Sequence, residues 1–454
     1  MKNFNKQITL SLKNPFILHH DVYGQKVLPG LAYIDMFYQI FKERGYSYDG
    51  LQLRHLSIYQ PLIAKEDSAV KLTVECTKVK EGRWKLTAKG AEVSGGRVQP
   101  EERIYVKAEM HETAPAVFSD TLDLDSVKRE AERTIDLNEL YAQCRSQELV
   151  HSGYMKAEGE VFEERDGVIF DVSLGKDAMG QAGGFLFHPT LLDGSGVGAN
   201  LLISSLLNGE KRLFLPLFYE SFTASEPLQA GCITRIKRSS LRQEKELIYI
   251  TLEFFNASGR KVAELKDFTS KLVRDAELIN TDRKPAEKSP EKAGLPEVAA
   301  SLEGGHPHEE AERYVMNLMA EKIGKPLEQI DSQVGYYEMG LTSSGLLDVV
   351  ETISEKIGET LSPTLLFEYT TAAELAAFLT EQYGSHFSAS PAKTEKPIVT
   401  QTENRRKTSV PLDEDIAIIG MAGRYPQAEN IHEFWENLKE GKNCVTEIPE
   451  SRWD

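Results

Sequence analysis

The chain has four cysteines in 454 residues, Cys76, Cys144, Cys232 and Cys444, and no two stand at a paired spacing. That speaks against a disulfide framework or a zinc site and fits a reducing compartment. No apolar run reaches the roughly 18 residues of a membrane span, and residues 1–14 lack the apolar core of a signal peptide. A soluble, cytoplasmic protein is expected. Positive charge is scarce: 53 Lys and Arg face 70 Asp and Glu, a net charge of -17. Nucleic-acid binding needs a basic face and is not expected. The acidic excess favours solubility and basic partners. What is present is 41% hydrophobic residues, enough for packed cores, in a chain long enough for two to four domains.

Two stretches, 275–307 and 385–412, are rich in charged residues, Pro, Ala, Ser and Thr. They bury too little apolar surface to offset the entropy of ordering, and read as linkers. They divide the chain into 1–274, 308–384 and 413–454. In the first region, alternating apolar and polar residues predict half-buried strands over 70–76, 84–88, 104–108 and 248–254. Residues 262–268 read as a closing strand. One apolar helix is expected to begin near Pro29, where proline suits the first turn, and another to run over about 189–207. One helix plus several antiparallel strands, occurring twice, predicts an α+β fold. A curved sheet would wrap a helix in each half, about 1–115 and 135–274, with a joint near 113–136. The middle region has helical apolar spacing over 311–323, 344–357 and 372–383, with a turn at 363–367, and reads as a small bundle. Residues 416–420 read as a buried strand, followed by a turn and a short helix. The last region is too short for a core of its own, and it lacks the Lys-Ser/Thr ending of a phosphate loop.

Three constellations carry chemistry. The segment His19-His20-Asp21-Val22-Tyr23-Gly24-Gln25-Lys26-Val27-Leu28-Pro29-Gly30 places a base on a tight turn facing the start of a buried helix. That suits proton abstraction beside a carbonyl. The helix start at Pro29 and Gly30 can aim a backbone N–H at the carbonyl oxygen. The second half carries His188-Pro189-Thr190-Leu191-Leu192-Asp193. An Asp in a first helical turn is most often a cap or dipole partner. Flanked by Leu191, Leu192 and Val197, however, it is expected to feel desolvation, which raises a carboxyl pKa and makes a general acid. The third is Gly340-Leu341-Thr342-Ser343-Ser344 at the start of an amphipathic helix, where a serine taken alone is an N-cap.

The spacing of His20, Gly24 and Pro29 resembles the first active-site motif of polyketide and fatty-acid synthase dehydratases, and His188, Pro189 and Asp193 resemble the second. The resemblance implies a double hot-dog fold for 1–274. It makes His20 the base for the α-proton of a 3-hydroxyacyl thioester and Asp193 the acid for the departing β-hydroxyl, without metal or redox cofactor. The motif residues Gly24 and Pro29 are expected at the substrate pocket together with Gly30 of the helix start; Tyr154 either lines the pocket or is a core aromatic at a strand start. The sequence departs from the family at Val197, where many members carry Gln or His that helps hold the carboxylate. It departs again at His151-Ser152-Gly153-Tyr154, where Tyr-Gly-Pro is usual. That variant resembles dehydratases of assembly lines whose acyltransferase is a separate protein. His19 and His151 are themselves expected to be structural or exposed.

The middle region resembles an acyl carrier protein, a four-helix bundle, with Ser343 in the place of the serine that carries 4'-phosphopantetheine. Thr342 takes the place usually held by Asp, and Ser344 falls where an apolar residue is usual. Acidic residues such as Glu338 and Asp348 suit basic partner surfaces. Residues 415–426 and 434–441 resemble the start of a ketosynthase, an incomplete thiolase-like fragment. The sequence stops before the cysteine and histidines of that family, so no condensing activity is expected, and Cys444 reads as an ordinary cysteine. The order resembles part of a bacterial modular polyketide synthase supplied with extender units in trans. The partners implied are the carrier-bound acyl thioester, a phosphopantetheinyl transferase, the separate acyltransferase and neighbouring modules; a dimeric dehydratase is left open. Two alternatives stand beside dehydration: a non-catalytic scaffold with a working carrier, and a double-bond-shifting or cyclising variant.

Overall fold

Strands form where apolar and polar residues alternate, one face turned to the core. In the computed structural model Phe4–Ser11, Ser68–Lys80, Arg83–Ser94, Arg97–Glu112 and Leu51–Ile58 pair antiparallel in that spatial order. The second half continues with Phe214–Ala224, Lys261–Leu272, Leu247–Phe255, Gly231–Lys237, Gly167–Leu174, Ala157–Glu164 and Arg133–Asp136. Leu51–Ile58 and Phe214–Ala224 pair across the joint, Leu53 opposite Phe222, so both halves share one sheet. The structure describes residues 3–95, 97–206, 212–273 and 307–387, together with 437, 439 and 442. Residues up to 390 form one compact unit, and the rest belong to a second. The expected strand at 416–420, Cys444 and nearly all of both expected linkers lie outside the described residues.

Each half wraps one helix, as the alternating pattern predicts. These are α1, Ala32–Lys42, and α2, Pro189–Leu206. Ile34, Phe37, Tyr38 and Phe41 of α1 are fully buried, and Leu191, Leu192, Ala199 and Leu202 of α2 lie in the same core. Two polar groups of α1 tie the halves together. The Tyr38 hydroxyl donates to the carbonyls of Leu51 (3.1 Å) and Phe222 (2.9 Å), one on each side of the joint. Asp35 Oδ1 accepts the N–H groups of Leu186 and Phe187, both at 2.8 Å, just before α2. The joint holds the helix Leu124–Glu130, and Leu137–Arg145 opens the second half; the sequence reading separated neither.

A second, small sheet bears on the site. Its strands run in the order Leu149–His151, His20–Val22, Gln25–Val27 and Ile63–Ala64. His20–Val22 and Gln25–Val27 form a hairpin with a two-residue turn, Tyr23 at φ 49° and Gly24 at φ 74°. Two successive positive φ values match the twist of the flanking strands, and glycine adopts one without strain.

The carrier region builds three long helices, α3 (Pro307–Ile323), α4 (Ser343–Ile357) and α5 (Ala372–Tyr383), and the short helices Tyr336–Met339 and Leu365–Glu368. Thr342, not Ser343, caps α4: its hydroxyl accepts the Gly345 N–H at 3.2 Å. The bundle's core is continuous with Tyr59, Leu217, Phe218 and Tyr249 of the large sheet. Polar contacts rim this junction: Lys107 with Glu351, Lys271 with Tyr337, Lys245 with Glu374 at 3.1 Å, and Tyr249 with Glu368 at 2.7 Å.

Burial pushes the Asp35 carboxyl up to about 6, against the pull of its two backbone bonds. Asp35→Ala leaves two buried N–H groups without an acceptor and should cost about 2–4 kcal/mol in urea unfolding. Asp35→Asn keeps an acceptor oxygen and should cost less than half of that.

Candidate active site

His20 starts its strand at the edge of the core and is buried. Its Nδ1 lies 2.9 Å from the carbonyl oxygen of Val27, across the hairpin that Gly24 closes. A carbonyl only accepts, so Nδ1 carries the hydrogen and Nε2 keeps a bare lone pair. Burial pulls the imidazole down to about 4, opposed by the charge of Asp193, so at neutral pH His20 is an unprotonated base.

Asp193 projects from the first two turns of α2. Its Oδ2 accepts a hydrogen bond from His151 Nε2 at 2.7 Å. His151 stands directly opposite His20 in the antiparallel pairing of Leu149–His151 with His20–Val22. Residues directly opposite share a face of the sheet, and the two rings lie 5.1 Å apart, edge to face. Ligating atoms of His20, His151 and Asp193 all lie within 4.8 Å of one another. By donor type such a set could hold a divalent transition metal. A carboxylate already bonded to an imidazole N–H, beside a second imidazole with a bare nitrogen, is equally the arrangement of an acid–base site.

The electrostatics correct one expectation. Burial does push the Asp193 carboxyl up, but the adjacent His151 imidazole, through attraction and its hydrogen bond, and His20 together outweigh it. The net direction is below the ordinary carboxylate value. The raised carboxyl read from the neighbouring leucines neglects these two histidines, which no local pattern around Asp193 reveals.

A narrow cavity of about 70 Å³ brings His20, Gly30, Leu31, His151, Asp193 and Val197 to one surface. A second, of about 170 Å³, adjoins it through His20 and Gly30 and reaches Tyr59, Leu217 and Lys271 at the carrier junction. Gly30 must be glycine-sized, because a Cβ there would stand 2.8 Å from the Tyr219 hydroxyl and 2.7 Å from Ile58. The Tyr33 and Tyr219 hydroxyls are buried with no hydrogen-bond partner among the described residues. Tyr33 lines the second cavity, and Asp193 acts electrostatically on Tyr219. The orphaned Tyr33 donor, at the wall of the second cavity, is available to a polar ligand.

Several expected site residues fall elsewhere. Gly24 makes the hairpin turn and Pro29 the turn before α1, whose carbonyl accepts the Ala32 N–H; neither lines the two cavities. They shape the segment that holds His20 and Gly30. Tyr154 is a core aromatic: its hydroxyl meets Gln181 at 3.2 Å and its ring packs on Phe16 and His188, away from both cavities. His188 is buried and accepts the Thr190 N–H, capping α2. His19 accepts the Tyr154 N–H and is structural, as expected. His151 was expected to be structural or exposed, and here the structure differs most: it is a wall of the cavity. No local pattern marks it, because its partner Asp193 lies 42 residues along the chain.

Family models place the chain's relatives. Residues 4–89 match the polyketide synthase dehydratase domain, and residues 119–280 match the polyketide synthase dehydratase N-terminal domain. Residues 313–379 match the phosphopantetheine attachment site, and 413–454 match the N-terminal domain of beta-ketoacyl synthase. The chain is 60% identical to polyketide synthase PksL and 47% identical to polyketide synthase PksM, both of Bacillus subtilis (strain 168), over 100% and 99% of its length. It spans about 10% of either relative. Among solved structures, a monomeric dehydratase domain from a trans AT polyketide synthase split module is 63% identical, with a TM-score of 0.59, covering 60% of this chain and 100% of that one. An N-terminal dehydratase from the difficidin assembly line, 21% identical, has a TM-score of 0.56 over 62% of this chain and 96% of that one, a likeness of fold.

The His20 assignment has a direct check. In a proton-detected NMR titration, the His20 ring should stay unprotonated as pH falls from 7 and titrate near 4. Because Asp193 favours the charged imidazole, Asp193→Asn should move that midpoint further down.

Proposed function

We propose that this chain, which belongs to the polyketide synthase dehydratase family and continues into a phosphopantetheine attachment domain, dehydrates a 3-hydroxyacyl thioester tethered to that carrier, with His20 as base and Asp193 as acid. The single observation that carries the residue assignment is the meeting of a bare imidazole nitrogen and a carboxyl group, one from each half of the fold, in one cavity.

The step balances as follows. The α C–H bond breaks and its proton goes to His20 Nε2. The electron pair forms the new C=C bond as the β C–O bond breaks. The hydroxyl leaves with the proton of Asp193, as water, and the proton on His20 then returns to Asp193. An acyl chain filling the cavity removes the remaining solvent from Asp193 and raises its pKa, favouring the protonated form that the step needs. The Gly30 N–H, in the turn before α1 and at the wall of both cavities, is the group assigned here to stabilise negative charge on the thioester oxygen. The adjoining cavity offers the route from the carrier junction to His20.

Ser343 is the proposed site of 4'-phosphopantetheine. It is the first residue of a fifteen-residue helix, where helix electrostatics favour a phosphate. Thr342 already performs the capping, and the Ser344 hydroxyl is engaged with Thr342 at 3.0 Å. The bound group supplies a flexible thioester arm; the chain supplies the helix start that holds it. We assign 1–274 to the dehydratase, 308–384 to the carrier and 413–454 to the ketosynthase-like segment, working in the cytoplasm with a phosphopantetheinyl transferase, a separate acyltransferase and neighbouring modules. The scaffold alternative rests on Val197, which offers Asp193 no polar group; the hydrogen bond from His151 removes that reason for it.

Incubated with a 3-hydroxyacyl pantetheine thioester, the protein should give a product one water lighter by mass spectrometry. His20→Ala and Asp193→Asn should each slow this by about 10³-fold. An unchanged substrate mass supports the scaffold, and a product with a migrated double bond or a ring supports the variant chemistry. Separately, a phosphopantetheinyl transferase should add one phosphopantetheine to the wild-type protein and to Ser344→Ala, and none to Ser343→Ala.

A further inference from the structure

His20 and His151 face each other across one pair of strands, yet their hydrogen bonds assign them opposite tautomers. His20 gives its Nδ1 hydrogen to the Val27 carbonyl and keeps Nε2 bare. His151 has no partner at Nδ1, and its Nε2 is bonded to a carboxylate oxygen, which accepts. A hydrogen sits where an acceptor is found, so the His151 hydrogen belongs on Nε2. His151 is therefore a donor aimed at Asp193, not a second base. Its side chain is 1% exposed and that of Asp193 13%, so solvent does little to compete for this bond. Among the described residues His151 is the carboxylate's hydrogen-bond partner, and Val197, one turn along α2, presents only methyl groups to the same cavity.

We propose that His151 is the positioning residue of this site, holding Asp193 Oδ2 so that Oδ1 is left to meet the departing hydroxyl. The inference rests on the acid role of Asp193 proposed above. A carboxylate with one fixed oxygen has lost its rotation about χ2, and the reacting oxygen is then presented in one direction. Misplacement of a catalytic group by about 1 Å can cost about 10²-fold in rate. The strand that carries His151 is itself held by its pairing with the His20 strand, so acid and base are located by the same hydrogen-bonded ladder. Other titratable groups near the pair are few: His20 and Asp21 on the neighbouring strand, Tyr141 with its ring 5.1 Å from His151, and Tyr219 beside Asp193. The Tyr141 hydroxyl accepts the Ala157 N–H at 3.1 Å, and among the described residues it makes no hydrogen bond to Asp193.

The test compares His151→Leu with His151→Gln in the full chain, using a 3-hydroxyacyl pantetheine thioester. Glutamine can place an N–H where imidazole Nε2 stands; leucine cannot. In His151→Leu, kcat should fall about 10²-fold with KM within about threefold. Its alkaline limb should move to higher pH, since the group that favours ionised Asp193 is gone. In His151→Gln, kcat should return to within about tenfold of wild type, and the alkaline limb should lie below that of His151→Leu. A leucine variant within threefold of wild type overturns the proposal. So do leucine and glutamine variants equally impaired with unmoved pH limbs. A measurement without activity guards against misfolded variants: in wild-type protein, 15N NMR should show His151 protonated at Nε2 and bare at Nδ1, the reverse of His20. The same tautomer in both rings would also overturn it. If wild-type protein gives no dehydration, the proposed function fails, and the 15N result still decides whether His151 is a donor to Asp193.

Discussion

The pairing of two three-residue strands, His20–Val22 and Leu149–His151, is the constraint on which the site depends. One strand comes from each half of the fold, and their register sets His20 against His151. The first ring thereby points a bare nitrogen into the cavity, and the second meets Asp193 descending from α2. A slip of one residue would turn either side chain to the opposite face. The large sheet makes such a slip costly, because it fixes the halves independently through the pairing of Leu51–Ile58 with Phe214–Ala224 and through the Tyr38 hydroxyl that bonds both. The geometry of the site is small, but a continuous sheet and a shared core enforce it.

Burial creates the conflict that the side chains resolve. An imidazole and a carboxyl buried together would each resist charge. His20 meets this by staying unprotonated, its one hydrogen spent on Val27. Asp193 meets it with the His151 hydrogen bond, which lets an ionised carboxylate persist where desolvation alone would protonate it. Asp35, buried in the other half, shows the contrast. It has two backbone N–H donors but no imidazole, and burial raises it to about 6. The difference between these two aspartates lies in their neighbours rather than in their depth.

Much of this was legible in the sequence. Period-two alternation located the strands at 70–76, 84–88, 104–108 and 248–254, and α2 spans Pro189–Leu206 where a helix over 189–207 was expected. The spacing of His20, Gly24 and Pro29 singled out the segment whose His20 and Gly30 border the cavity, although Gly24 and Pro29 shape the backbone rather than line it. Local pattern could not reach interactions made across long sequence separations. His151 is 42 residues from Asp193 and its role is set by strand register. Tyr33 and Tyr219 look like ordinary core aromatics in a string of letters; only their unpartnered hydroxyls distinguish them. Tyr154 could be read as a pocket residue or as a core aromatic, and its packing on Phe16 and His188 makes it the second.

The carrier junction follows a different physical logic from the site. Two of its rim contacts, Lys107 with Glu351 and Lys245 with Glu374, are partly exposed ion pairs, which contribute on the order of 0–1 kcal/mol each. Beneath the rim, Tyr59, Leu217, Phe218 and Tyr249 of the large sheet share a buried apolar core with the bundle. At the site, polar groups do the holding: His20, His151 and Asp193 are fixed by backbone pairing and by hydrogen bonds shielded from solvent. Val197 fits this division. An apolar residue on α2 does not free the carboxylate when a strand on the opposite wall supplies the donor, and Val197 leaves that part of the cavity wall apolar. The absence of a family residue at one position is therefore weak evidence for lost chemistry until the opposite wall of the cavity has been read.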